Sequence, residues 1–179
     1  MRTHIFLFCT FFIISFGFAA QAGNVEKDTT INGLKIELHV MPAEPFFTKQ
    51  EADAKKVSSG MLILEGNRPL ALDDSTHPNH HLVVHVYDSK SGKALTQAKV
   101  KISFQPINET GKLSGSATDL PIIKMQAIGK GTQSTHYGNN VVMADGSYAI
   151  LVLINGKLLK FTISTSSDSE PSMEHMHMN

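Results

Sequence analysis

Charge of one sign is missing from this chain: 16 basic side chains stand against 16 acidic ones. That balance excludes the concentrated positive field that nucleic-acid binders carry. Cysteine is nearly absent too, with Cys9 the only one in 179 residues. Long apolar runs are confined to a single stretch, Ile5 to Phe18, which is too short to span a bilayer. With Arg2 and His4 before it and Ala20-Gln21-Ala22 after it, that stretch has the order of a secretory signal peptide, residues 1–22, cleaved after Ala22. Cleavage removes Cys9. The exported chain then has no disulfide, no thiolate metal site and no Cys nucleophile. Also missing are a G-x-S-x-G elbow, an H-E-x-x-H helix and a phosphate loop, so no enzyme is expected. Asp73-Asp74 reads as a solvated turn, and the Asn108-Glu109-Thr110 triplet is frequent by chance.

What is there is mostly strand. Leu34 to Met41, Met61 to Leu64, His81 to Asp88, Lys99 to Gln105, Ile122 to Ala127, Val141 to Met143, Tyr148 to Ile154 and Leu158 to Ser164 are short runs rich in Val, Ile and Leu. Asn155-Gly156 between two such runs predicts a two-residue hairpin, and Asp145-Gly146 a further break. The fold expected over residues 23–164 is all-β, an antiparallel immunoglobulin-like sandwich of seven to eight strands. One short helix is expected after Thr48, whose Glu51 completes a capping box. Residues 165–179 are polar and without periodicity, which predicts a flexible tail.

Histidine and methionine are what the mature chain keeps in quantity: eight of nine His and seven of eight Met lie after Ala22. Without Cys these are the soft and borderline ligands left, and Cu(I) favours thioether sulfur. Met61 and Met143 sit in apolar strand patterns and read as core filler. Alternation along the His81 strand puts Leu82, Val84 and Val86 on one face and His81, Val83, His85 and Tyr87 on the other. Same-face residues four apart are about 13 Å apart along a strand, so one of His80, His81 and His85 is expected as a primary ligand, the others standing behind it or at a second site. The tail gathers Met173, His175, Met176, His177 and Met178 into six positions, an auxiliary copper-capturing arm.

A further constellation runs from Met125 through a Gly-, Thr- and Ser-rich loop to His136-Tyr137-Gly138-Asn139-Asn140 and on to Gly146-Ser147-Tyr148. This segment, Leu120 to Ile154, resembles the periplasmic copper-binding proteins associated with ferrous-iron uptake, which carry a Met-bearing strand, a short loop and a His-Tyr-Gly-x-Asn motif. Ile123-Lys124-Met125 stands where that family has Met-Pro-Met, and Leu82-Val83-Val84 replaces its acidic residues. The resemblance implies an immunoglobulin-like homodimer in the periplasm, binding copper, with iron as the second metal, and assisting an inner-membrane metal permease. It makes Met125 and His136 ligands, with His81 or His85 as the third. Those three groups are expected to meet in a surface-accessible pocket whose affinity falls below about pH 6.5, the ordinary His value. The alternative is an exported interaction module with no specific metal site.

Overall fold

The structure is a computed structural model that describes residues 25–66 and 77–166. The expected signal peptide, Asp73-Asp74 and nearly all of the expected tail lie outside the described residues.

Strand β1 (Val25–Ile31) turns back into β2 (Leu34–Pro42) through Asn32 and Gly33, both at positive φ (50° and 81°). A two-residue loop with two left-handed residues matches the twist of the strands it joins. Along β2 the pleat sends Ile36, Leu38 and Val40 into full burial on one face. Lys35, Glu37, His39 and Met41 take the other. Then follow β3 (Phe46–Phe47), α1 (Lys49–Lys55) and β4 (Met61–Glu65). The capping box at α1 is made as expected: Thr48 Oγ1 accepts from Glu51 N at 3.2 Å while Thr48 N donates to Glu51 Oε2 at 2.8 Å. The chain continues with β5 (His80–Asp88), β6 (Val100–Ile107), β7 (Thr118–Leu120), β8 (Ile123–Ala127), β9 (His136–Val141), β10 (Gly146–Ile154) and β11 (Lys157–Thr165).

These strands form two sheets, ordered β1-β2-β5-β9-β8-β4-β3 and β11-β10-β6-β7. All pairs are antiparallel except β3 with β4. The chain is therefore an all-β sandwich, as its periodicities predict. Its core lies between the sheets, where Ile36, Leu38, Leu82 and Val84 of one meet Ile102, Phe104, Ile150 and Val152 of the other.

The strand count is eleven rather than seven to eight. The additions β1, β3 and β7 are edge pieces, which expose one side to water and so lack a dense Val and Ile signal. The run expected at Val141 to Met143 instead ends β9. Asn79 captures the next residues, donating from Nδ2 to Met143 O at 2.8 Å and accepting from Met143 N at 2.9 Å, so they leave the ladder. At the other end, Thr165 closes β11 and buries its hydroxyl against Ala144 O at 2.8 Å, placing it in the sandwich rather than the tail.

The larger sheet has apolar residues on both faces. On its outer face Met61, Val83, Ile123 and Met125 are buried, with Met41, Phe46, Ile63 and Ala127 packed around them. The sheet curls to make this possible. Phe46, on the edge strand, reaches a ring-centroid distance of 5.7 Å from His81 on β5, although three strands stand between β3 and β5 in the sheet. The connection from β2 to β3 crosses the same face, where Glu44 exchanges two hydrogen bonds with the Asn140 side chain.

Candidate metal centre

Three neighbouring strands carry imidazoles onto this covered face. His39 comes from β2, His81 and His85 from β5, and His136 opens β9. Register does the rest: Met41 lies opposite His81, Glu37 opposite His85, and Met125 of β8 opposite His136. The about 13 Å between His81 and His85 along their strand is bridged from the side. The His136 ring lies 5.7 Å from His81 and 4.9 Å from His85, and His85 lies 5.0 Å from His39, all between centroids.

Gly138 lets β9 come this close. A Cβ there would lie 2.7 Å from Val83 Cα and 2.8 Å from Val83 Cγ1, and closer still to the Leu82 carbonyl. Any side chain at position 138 would push β9 off β5. The glycine of His-Tyr-Gly thus sets the distance between His136 and the two β5 histidines, while Tyr137 turns the other way, its hydroxyl donating to Leu95 O at 2.8 Å in the core.

Hydrogen bonds determine which nitrogen each ring offers. His136 Nδ1 lies 2.8 Å from the carbonyl of Ser134, presented by the 3-10 turn Thr132–Ser134. A carbonyl only accepts, so Nδ1 carries the proton and Nε2 the lone pair. His81 Nδ1 lies 2.8 Å from Asn140 Oδ1. That amide cannot be reversed, because its Nδ2 donates to Glu44 O at 2.7 Å, so His81 too is protonated at Nδ1. Both Nε2 atoms are buried without a hydrogen-bond partner, as are His39 Nε2 and His85 Nδ1. Buried polar atoms are rarely left so. A supporting bond at Nδ1 with a free lone pair at Nε2 is how metal-bound histidines are held.

Burial is the main cause that pushes His81 and His85 down to about 4 and His136 down to about 3. Neighbouring histidines add to the shift at His85 and His136, whereas the Asn140 and Ser134 bonds oppose it at His81 and His136. All three are neutral at pH 7 and hold lone pairs ready for a Lewis acid. Met125, fully buried, lies opposite His136 in the strand register and puts a thioether on the same face as the imidazoles.

His81, His85, His136 and Met125 thus share one neighbourhood. His80 does not: it takes the opposite face from His81, its ring pushed below the ordinary value by burial while Asp145 pulls the other way. The pocket is not surface-accessible, since His136 is 2% exposed and His81 0%, because the curled sheet and the Glu44 crossing cover them. The tail ligands Met173, His175, Met176, His177 and Met178 lie outside the described residues. The triplet at Asn108 folds into a turn in which Asn108 Oδ1 accepts from Thr110 N and Lys112 N.

Sequence reading missed His39, Met41 and Glu37, although alternation in Leu34 to Met41 places all three on one face; their nearness to His81 and His85 depends on β2 pairing with β5. Among the described residues one set of acidic and imidazole ligands has its donor atoms all within 4.8 Å of one another, namely Glu26, Glu37 and His39. The buried imidazoles are arranged in neighbouring pairs. A cavity of about 380 Å³ lies away from them, lined by Glu65, Ala98, Lys124 and Tyr137. Compared with known proteins, the chain matches no family model, and neither a curated protein nor a solved structure is a significant match.

Proposed function

We propose that this is an exported copper-binding protein, with His81, His136 and Met125 as the ligands of a buried Cu(I) centre and Met41 and His85 beside them. The observation that carries the reading is the pair of Nε2 atoms on His81 and His136, both buried, both deprotonated by a bond at the opposite nitrogen, and both without a partner. Leaving such atoms unpaired costs about 1–3 kcal/mol each, a cost that a bound ion would offset. Two imidazoles and a thioether form a soft set that suits copper better than Mg2+ or Ca2+.

The resemblance to periplasmic copper proteins of iron uptake extends the reading: a periplasmic homodimer of immunoglobulin-like type that delivers or buffers copper and assists an inner-membrane metal permease, with iron as the second metal. The Met173 to Met178 stretch, with its Met and His side chains, would serve as an auxiliary copper-capturing arm.

Cu(I) titration against a competing chelator tests this in a chain lacking residues 172–179, a deletion that removes none of the described residues. One equivalent should bind tightly, and His136→Ala and Met125→Leu should each weaken it at least tenfold. Equal binding by parent and variants would return the chain to the interaction-module alternative.

A further inference from the structure

Next to the buried histidines, toward the β1 edge, the outer face changes chemistry from sulfur to oxygen. Glu26 of β1 stands opposite His39 of β2, and Glu37 stands on the same face as His39, two residues away. The three donor atoms lie within 4.8 Å of one another, His39 Nε2 being 3.7 Å from Glu37 Oε2. That separation is too long for a hydrogen bond, and His39 Nε2 has no other partner although the atom itself is buried. Glu26 is exposed and Glu37 and His39 are half-buried, so the three lie at the rim of the covered face.

We propose that Glu26, Glu37 and His39 form a second metal site at the rim of this face, for a borderline divalent cation such as Zn(II), Cu(II) or Fe(II). Two carboxylates neutralise a divalent charge, and one imidazole favours these ions over Mg2+ and Ca2+. Among the described residues no thioether is paired with these three in the sheet register, so the site is harder than the His81–His136–Met125 group. Lys35 now bonds Glu37 Oε1 at 2.6 Å. Its side chain is 47% exposed and can swing into water when a cation takes the carboxylate. Burial pushes the Glu37 carboxyl up, yet the Lys35 bond outweighs it and holds the group below the usual range, so it is ionised at neutral pH. His85 stands 5.0 Å from His39 and 4.9 Å from His136, between the two sites. The two sets share no ligand, so each site can be tested without the other.

Co(II) is the probe, because its visible absorption reports ligand number and type. The full chain is titrated alongside Glu26→Gln/Glu37→Gln, Glu26→Gln alone, His39→Phe and Met125→Leu, so that the tail contributes the same background to each. One Co(II) equivalent should be lost, or weakened at least tenfold, in the double Gln variant and in His39→Phe, and be kept in Met125→Leu. His39→Phe removes a ligand without changing the acidic charge and keeps a ring against His85, so it separates ligation from simple attraction. Glu26→Gln, at an exposed position, should weaken binding several-fold with the fold intact. Parental Co(II) binding in either the double variant or His39→Phe would overturn the proposal. Cu(I) titrations of the same proteins report the buried centre separately, so failure of one site does not bear on the other.

Discussion

Asn140 determines which ring nitrogen of His81 is left free. Its Oδ1 accepts the Nδ1 proton of His81 at 2.8 Å, and its own orientation is fixed by the backbone of Glu44, which lies 96 positions away in sequence. Removing the amide frees the ring to turn and to change tautomer. Asn140→Ala should therefore lower Cu(I) affinity about 10–100-fold, the range for loss of a bond behind a metal ligand, as read by chelator competition. An unchanged affinity would mean that Nε2 of His81 is not a ligand.

His136→Leu isolates the cost of keeping an unpartnered imidazole nitrogen in the core. Leu fills a similar volume and has no lone pair to leave unpaired, while the bond to Ser134 O is lost. Metal-free stability should change by less than about 1.5 kcal/mol in urea unfolding, while tight Cu(I) binding disappears. A loss above about 3 kcal/mol would make His136 a structural residue.

Stability of the metal-free protein should fall with acid over a defined window. His81, His85 and His136 titrate at about 4, 4 and 3 in the folded chain, and at roughly 6.5 once unfolded. Between these values the unfolded chain takes up protons that the folded one refuses, so unfolding is favoured as pH drops from about 6.5 toward 4 and the effect levels off below about 3. Urea midpoints at pH 7.5, 6, 5 and 4 measure it. Replacing the three histidines together should flatten the slope. For the same reason, any acid loss of Cu(I) affinity measured by chelator competition should set in below the pH of about 6.5 expected of exposed imidazoles.

Gly138→Ala tests the approach of β9 to β5. The added methyl meets the backbone at Leu82 and Val83, which cannot swing aside as a flexible side chain could. Overpacking of this kind costs about 1–3 kcal/mol, and metal binding should weaken as His136 is displaced. Wild-type stability and affinity together would show that the strands can separate freely.

Phe104→Ala probes the sandwich core apart from any site. Phe104 is 8% exposed and sits edge-on to Tyr148 at 6.3 Å between centroids. Its truncation should cost about 3–5 kcal/mol in chemical unfolding and leave metal affinity of the remaining folded protein unchanged.

The all-β class was legible from the chain alone because a half-buried strand writes its two faces into alternate residues. Val100 to Phe104 and Leu82 to Val86 show it, and the Asn155-Gly156 hairpin and Thr48 cap follow from equally local chemistry. Alternation likewise put His81 and His85 on one face. It said nothing of which strands would be neighbours. That His136 lies between those two rings, that Met41 and His39 join from β2, and that Glu26 meets Glu37 and His39 all depend on the sheet order, set by long-range pairing between strands far apart in sequence. Burial was decided at the same level. The sequence places His136 in a surface-accessible pocket, yet the sheet curls until Phe46 and Glu44 roof the face. Only that tertiary contact turns ordinary imidazoles into dry, neutral, unpartnered ones.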